Sequence, residues 1–338
     1  MKTLSLPAGR PRIEVPPAAS TPTGSWTNLE TDSIRTPLLD LNLRTILVPF
    51  DFSDVSVALL WRMVAFADRS GAALHILHVV EPSDGFDAAG QLTTRGDSNL
   101  RVGAAQSQLQ QWVKQTLPVQ VAITTTAREG LAADEIVAQA RDLQADLVVM
   151  SAHVGRGLKN ALVRTTTERV VRHAPCPVLV LAKNKVNKFL WNFETFPLPS
   201  WKRILLPVDL SSRVSGALAY AAAMAMENSA TLQFLHVTTG DTSTEESTTS
   251  SAGNRLTEWL RTELRWPVES EAVIWTNTPL LHAILAEARR SSTDVIVLPT
   301  RDCTWSRRHR FWSVTDGILR HAPCPVLCVS GNVYPWLG

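Results

Sequence analysis

Asp51 and Ser53 stand two residues apart just past an apolar run, and the same pair returns as Asp209 and Ser211. A carboxylate at such a place can accept hydrogen bonds from a ribose or an amine. Aspartate and serine are also the commonest helix N-caps. Capping is the reading for the serines; for the aspartates both readings stand. His78 and His236 close two matched apolar runs. A general base needs a positioned partner, and no nucleophile or paired carboxylate lies nearby in sequence, so both read as structural. His153 sits in Ser151-Ala-His-Val-Gly-Arg-Gly-Leu158, where Gly155 and Gly157 would let main-chain N–H groups approach a phosphate. The counterpart, Pro299-Thr-Arg-Asp-Cys-Thr-Trp305, has no glycine, and Pro299 removes a donor. Arg301, Arg307, Arg308, His309 and Arg310 interleave with Trp305, Phe311 and Trp312. That mixture can hold phosphates and stack bases, or be a solvated loop, and the solvated loop is preferred. Cys324 and Cys328 are four apart with no second pair to complete a zinc pattern. No catalytic residue and no metal ligand is assigned, and the chain is expected not to be an enzyme.

The elements that must position these residues alternate in type. Short apolar runs (44–49, 73–80, 119–125, 146–151, 178–182) read as strands, with helical spacing over 54–69, 98–116, 132–143 and 162–172 between them. Strands apolar throughout, such as Leu147-Val-Val-Met150, belong in a parallel sheet covered on both faces. Strands near 203–207, 231–237, 270–275, 294–298 and 326–329 follow the same course.

The reason is duplication. Ile46-Leu-Val-Pro-Phe-Asp-Phe-Ser53 returns as Ile204-Leu-Leu-Pro-Val-Asp-Leu-Ser211, and the run ending His78-Val79 returns ending His236-Val237, both 158 residues later. Asp146-Leu-Val-Val-Met150 returns as Asp294-Val-Ile-Val-Leu298, and His173-Ala-Pro-Cys-Pro-Val-Leu179 returns identically at 321–327, both 148 residues later. The second copy is therefore ten residues shorter between its second and third anchors. The expected organisation is a Pro-rich disordered tail (1–41), a first domain (42–183), a linker (184–200) rich in aromatic residues, a second domain (201–331) and a short tail (332–338). An arm that docks on a partner is the alternative for 1–41. Cys176 and Cys324, each between prolines, read as packing residues. The tryptophans mark either a protein interface or the seam between domains.

A chain of 338 residues with 45% apolar and 19% charged residues is a globular one of about two domains. A net charge of +2 gives no general pull toward nucleic acid or an anionic membrane, so nucleic-acid binding is a weak alternative confined to 301–312. No apolar run is long enough to span a bilayer, and the first residues lack an apolar secretory core. A cytoplasmic location is expected.

The anchor phrases, in their order and given twice, resemble the universal stress protein family in a tandem two-domain form. The resemblance implies α/β domains of Rossmann-like, adenine nucleotide alpha hydrolase-like type, each a doubly wound five-stranded parallel sheet. It implies a stress-response role. It also implies that fifth strands pair across a twofold, here 178–182 with 326–330 as an internal pseudo-dimer. Family members that bind ATP carry Gly-x2-Gly-x9-Gly-Ser/Thr after the fourth strand. Here Ser151, Val154 and Arg164 replace the glycines and Thr165 is kept; in the second copy Pro299, Asp302 and Trp312 replace them and Ser313 is kept. The expectation is a protein that binds a protein partner, with a homo-oligomer as an open alternative, without a cofactor. The alternative is an adenine-nucleotide sensor. Its modified pocket would use Pro49, Asp51, Val79, His153, Arg156, Arg164 and Thr165, with Pro207, Asp209, Val237 and Ser313 as a vestigial pocket in the second copy.

Overall fold

A computed structural model describes residues 12–14, 43–82, 95–117, 121–152, 166–182, 201–210, 215–238, 245–300 and 311–330. Its strands are β1 (Arg12–Glu14), β2 (Thr45–Pro49), β3 (Ala73–Val80), β4 (Ile123–Glu129), β5 (Leu147–Ala152), β6 (Val178–Ala182), β7 (Arg203–Val208), β8 (Thr231–Thr238), β9 (Ser270–Thr276), β10 (Val295–Pro299) and β11 (Val326–Val329). Its helices are α1 (Asp54–Ser70), α2 (Arg95–Thr116), α3 (Ala132–Asp142), α4 (Thr166–His173), α5 (Ser215–Asn228), α6 (Glu245–Glu263), α7 (Leu280–Arg290) and α8 (Phe311–His321).

All eleven strands join one sheet in the order β1-β9-β8-β7-β10-β11-β6-β5-β2-β3-β4. Within each half the five strands are parallel and ordered third, second, first, fourth, fifth. The halves meet where β6 and β11 run antiparallel, pairing Val180 with Val326, Leu179 with Leu327 and Val178 with Cys328. The two strands at the seam are those that the family resemblance pairs across a pseudo-twofold.

Alternation along each strand feeds two cores. Ile46 and Val48 of β2 face one side with α1, α2, α5 and α6, whereas Leu47 faces the other with α3, α4, α7 and α8. Both cores run unbroken across the seam. α5 lies over β10 and β11, and its residues 216–225 are all buried. A helix buried all round needs an apolar circumference, and Ala, Leu, Tyr and Met supply it. Burial pushes the Tyr220 phenol up, as do Cys176 and Asp146 of the first half.

Matched polar bonds close each half. Asp146 Oδ2 accepts from the main-chain N–H groups of Arg44 and Thr45, both at 2.8 Å. Asp294 Oδ2 accepts from those of Lys202 and Arg203, at 2.7 and 2.9 Å. Cys176 and Cys324 are buried just before β6 and β11, and burial pushes the Cys176 thiol up to about 12.

Two elements depart from the sequence reading. β4 begins at Ile123 rather than 119 and runs to Glu129, because its pairing with β3 continues to Val80. Its threonines read as a strand end, yet β-branched residues suit an edge strand with one polar side. Inside the Pro-rich segment, Arg12–Glu14 form a strand antiparallel to β9, so disorder does not hold for these three residues. Edge backbone groups of β9 offer hydrogen bonds that short-range sequence pattern does not reveal.

Candidate functional site

The strand order reverses between β2 and β5 and again between β7 and β10. Ligands of open α/β sheets bind at such switch points, beyond the carboxyl ends of the strands. The register shows why a crevice opens there. β2 pairs with β3 through Pro49, but with β5 only at Ile46 and Leu47. β7 pairs with β8 through Val208, but with β10 only at Ile204 and Leu205. Pro49 and Pro207 stand where the inner partner has already diverged, so neither costs a ladder bond on that side.

In the first half, Pro49 ends β2, Val79 lies one residue from the end of β3, and Asp51 is exposed between them in sequence and beyond both strands. Asp51 Oδ1 accepts from Ser53 N at 3.1 Å and Ser53 Oγ at 2.6 Å. Ser53 is the N-cap of α1: its Oγ accepts from Ser56 N at 3.2 Å. Capping therefore describes Ser53, and the carboxylate of Asp51 orients the cap. The His78 ring nitrogen Nδ1 bonds to the Phe50 carbonyl at 2.8 Å, tying the turn after β2 to β3.

Four rings gather above that turn. Phe50 packs on Phe52 and Trp112, with centroids 4.8 and 4.7 Å apart, and Phe52 packs edge-on to His78 at 5.0 Å. Phe52 has φ of 59°, a left-handed backbone costly for a large side chain. The ring contacts hold it there. Sequence reasoning passed over Phe52 and Trp112; the signal was the Phe-Asp-Phe phrase with a tryptophan three residues after buried Leu109.

Charges line the far end of the same side. Glu129, the last residue of β4, accepts from Ser98 and Arg101 of α2. The Ser98 hydroxyl, then the Arg101 guanidinium, hold its carboxyl below the usual carboxylate range. Arg128 pairs with Asp142 at 2.5 Å and with Glu135 at 3.6 Å.

The second half is drier. Asp209 follows β7 and is half-buried, Val237 lies on β8, and His236 is buried with Nδ1 at 3.2 Å from the Val208 carbonyl. Burial pushes the His236 pKa down, the main-chain bond opposes that, and Arg255 and Asp209 act in opposite senses. Ser313 lies in the first turn of α8. Ser151 and Pro299, at the first replaced glycines, are buried in β5 and β10. His153, Arg156, Arg164, Thr165 and most of 301–312 lie outside the described residues, as does Ser211. Pro49, Asp51 and Val79 thus lie at or beyond the carboxyl ends of β2 and β3, and Pro207, Asp209 and Val237 at or beyond those of β7 and β8.

Known proteins match the same two halves. The universal stress protein family model matches residues 42–182 and again 200–330. The chain belongs to the universal stress protein family. A curated relative of this family, universal stress protein MJ0531 of Methanocaldococcus jannaschii, is 32% identical over 142 residues, covering 42% of this chain and 84% of the relative. A universal stress protein from Archaeoglobus fulgidus shares the fold with a TM-score of 0.58 at 16% identity, over 86% of this chain and 98% of that one. A functionally unknown protein from Pseudomonas aeruginosa does so with a TM-score of 0.55 at 18% identity, over 86% and 94%. This chain is a tandem universal stress protein in which the two family domains share one sheet.

Among the described residues no three His, Cys, Asp or Glu side chains are grouped so as to hold a metal ion, and no helix is long and apolar enough to cross a membrane. At the first crevice the arrangement can do two things. The exposed Asp51 carboxylate can accept from hydroxyl or amine donors, and half-buried Phe52, next in the chain, offers an apolar surface.

Proposed function

We propose that this universal stress protein acts by binding a partner or ligand and not by catalysis, with no resident cofactor. The observation that supports this reading is how the polar groups at the crevices are spent. Both strand-end histidines bond through Nδ1 to a main-chain carbonyl at the end of the first strand of their half, Phe50 O and Val208 O. Asp51 holds Ser53, and Ser53 caps α1. A base that fixes a turn is not poised over a nucleophile. The same crevice still offers a carboxylate and an apolar surface, which is equipment for recognition.

A second reading is a sensor of adenine nucleotides in the first half. It draws on one contrast: Asp51 is exposed at its crevice mouth and Asp209 is half-buried at the other. Pro49, Asp51 and Val79 would meet the base and ribose.

One experiment separates the two. Freshly purified protein is denatured and the supernatant is analysed for adenine nucleotides. The binding-partner reading expects none. About one equivalent per chain, lost on Asp51→Ala, would replace it with the sensor reading.

A further inference from the structure

The two outer edges of the sheet are closed in different ways. On β4 the side chain of Gln106, from α2, takes the place of a neighbouring strand. Its Nε2 donates to Thr125 O at 3.0 Å, and its Oε1 accepts from Ala127 N at 2.6 Å. Both groups point outward, because the alternate residues of β4 are the ones that bond to β3. Polar Thr124, Arg128 and Glu129 further protect this edge.

β9 is different. Ala272, Val273, Ile274 and Trp275 are all buried, so both faces of this strand are covered and apolar. A seven-residue edge strand with an apolar, buried centre is a template for another strand. Its cover is β1, which pairs Arg12 with Val273, Ile13 with Ala272 and Glu14 with Glu271. That cover is short, and Pro11 and Pro16 bound it on either side. Its register sets Glu14 opposite Glu271, whose side chain pairs with Arg203 at 3.7 Å. It also leaves the stretch 274–276 beyond its three pairs. The tether is ample: 30 residues separate Glu14 from Thr45, reaching up to about 100 Å, against eight strand spacings of about 5 Å each.

We propose that the β9 edge is a self-association surface whose partner is β9 of a second copy, and that residues 12–14 hold it closed. An antiparallel β9–β9 pair centred on Val273 sets Ala272 against Ile274 and Glu271 against Trp275 of the other copy. No glutamate then faces a glutamate, and the outward backbone groups of residues 272 and 274 find partners. The same patch on both copies makes a closed twofold dimer. Opening the arm turns a monomer into a dimer without disturbing either crevice.

The test uses the full chain. Ile13→Pro removes the main-chain N–H of the residue registered opposite Ala272 on the β9 edge. The expected result is one-chain mass for the natural sequence at low micromolar concentration, and for I13P a mass that doubles as concentration rises. Val273→Cys reports the register. Under oxidation, I13P/V273C is expected to form a covalent dimer several-fold more completely than V273C with the arm intact or I13P alone. Arg12→Cys with Val273→Cys is expected to link within one chain and to stay one-chain in mass. An unchanged mass for I13P overturns the proposal. So does equal cross-linking with and without I13P, or a natural-sequence dimer that V273C does not capture. Covalent heterodimers between tagged and untagged R12C/V273C chains would mean that the arm is exchanged between copies, which also overturns it.

Discussion

The two halves keep the same bonds where the sheet is built and different ones on the helices that cover it and at the ends of its strands. Asp146 and Asp294 each take two main-chain N–H groups at the start of the first strand, and His78 and His236 each pin the turn at its end. Outside that frame the halves diverge. The first half carries an exposed Asp51 and four packed rings. The second carries helix α5, buried over 216–225, and a buried charge. Glu287 side-chain exposure is 0%, and it accepts from Trp275 Nε1 at 3.0 Å and from Arg290 Nε and NH2 at 2.9 and 2.7 Å. The matched residue in the first half is Gln139, buried, with an Oε1 that has no hydrogen-bond partner. Duplication has held constant what closes the parallel sheet and released what tunes each half to its neighbours.

Glu287→Ala gives the largest expected effect. It strands a buried indole N–H and removes one partner of a charge pair, at a cost of about 3 kcal/mol. Gln139→Ala, where only packing is lost, costs about 1 kcal/mol. Urea denaturation of both variants reads the gap, and equal costs would break the contrast.

The matched aspartates should behave alike. Asp146→Ala and Asp294→Ala each leave two strand-start N–H groups without their carboxylate, at about 2 kcal/mol apiece. A difference of more than about 0.5 kcal/mol between them would mean that the two frames are not equivalent.

Ser53→Ala removes the N-cap of α1 and the donor that orients Asp51. About 1 kcal/mol is expected, read as a lower denaturation midpoint with an unchanged slope.

The smallest effect is a pH slope. Burial lowers the folded-state pKa of His236 below its unfolded value, which is about 6.5. The unfolded chain therefore binds more protons below that pH. The contribution is present above about 6.5 and is lost as pH falls toward the folded-state value. His236→Gln, which can still donate to Val208 O, should flatten the thermal stability profile in that acid window. An unchanged profile would assign the slope to other groups.

Much of this fold is written locally. Strands buried on both faces must be apolar throughout, so β2, β5, β7 and β10 stand out of the sequence, and the duplicated anchors give their order. The start of β4 is not local: a threonine-rich edge has no apolar run, and only pairing with β3 sets its limits. β1 is less legible still, since three residues among prolines carry no period. At the site, the Asp-Ser pair is visible in the sequence and capping is the reading for its serine, whereas both readings stand for the aspartate, whose bond to the capping hydroxyl the structure shows. The Gln106 cap on β4 and the Trp275–Glu287 pair join residues on different elements, so no spacing rule shows them.

The most direct test of binding without catalysis is calorimetric titration of ATP–Mg into the natural chain, Asp51→Ala and Asp209→Ala, with phosphorus NMR of the mixtures after incubation. The account predicts no saturable heat at millimolar nucleotide and unchanged ATP resonances in all three. One-to-one binding abolished by Asp51→Ala, or phosphate release from ATP by the natural chain, would contradict it.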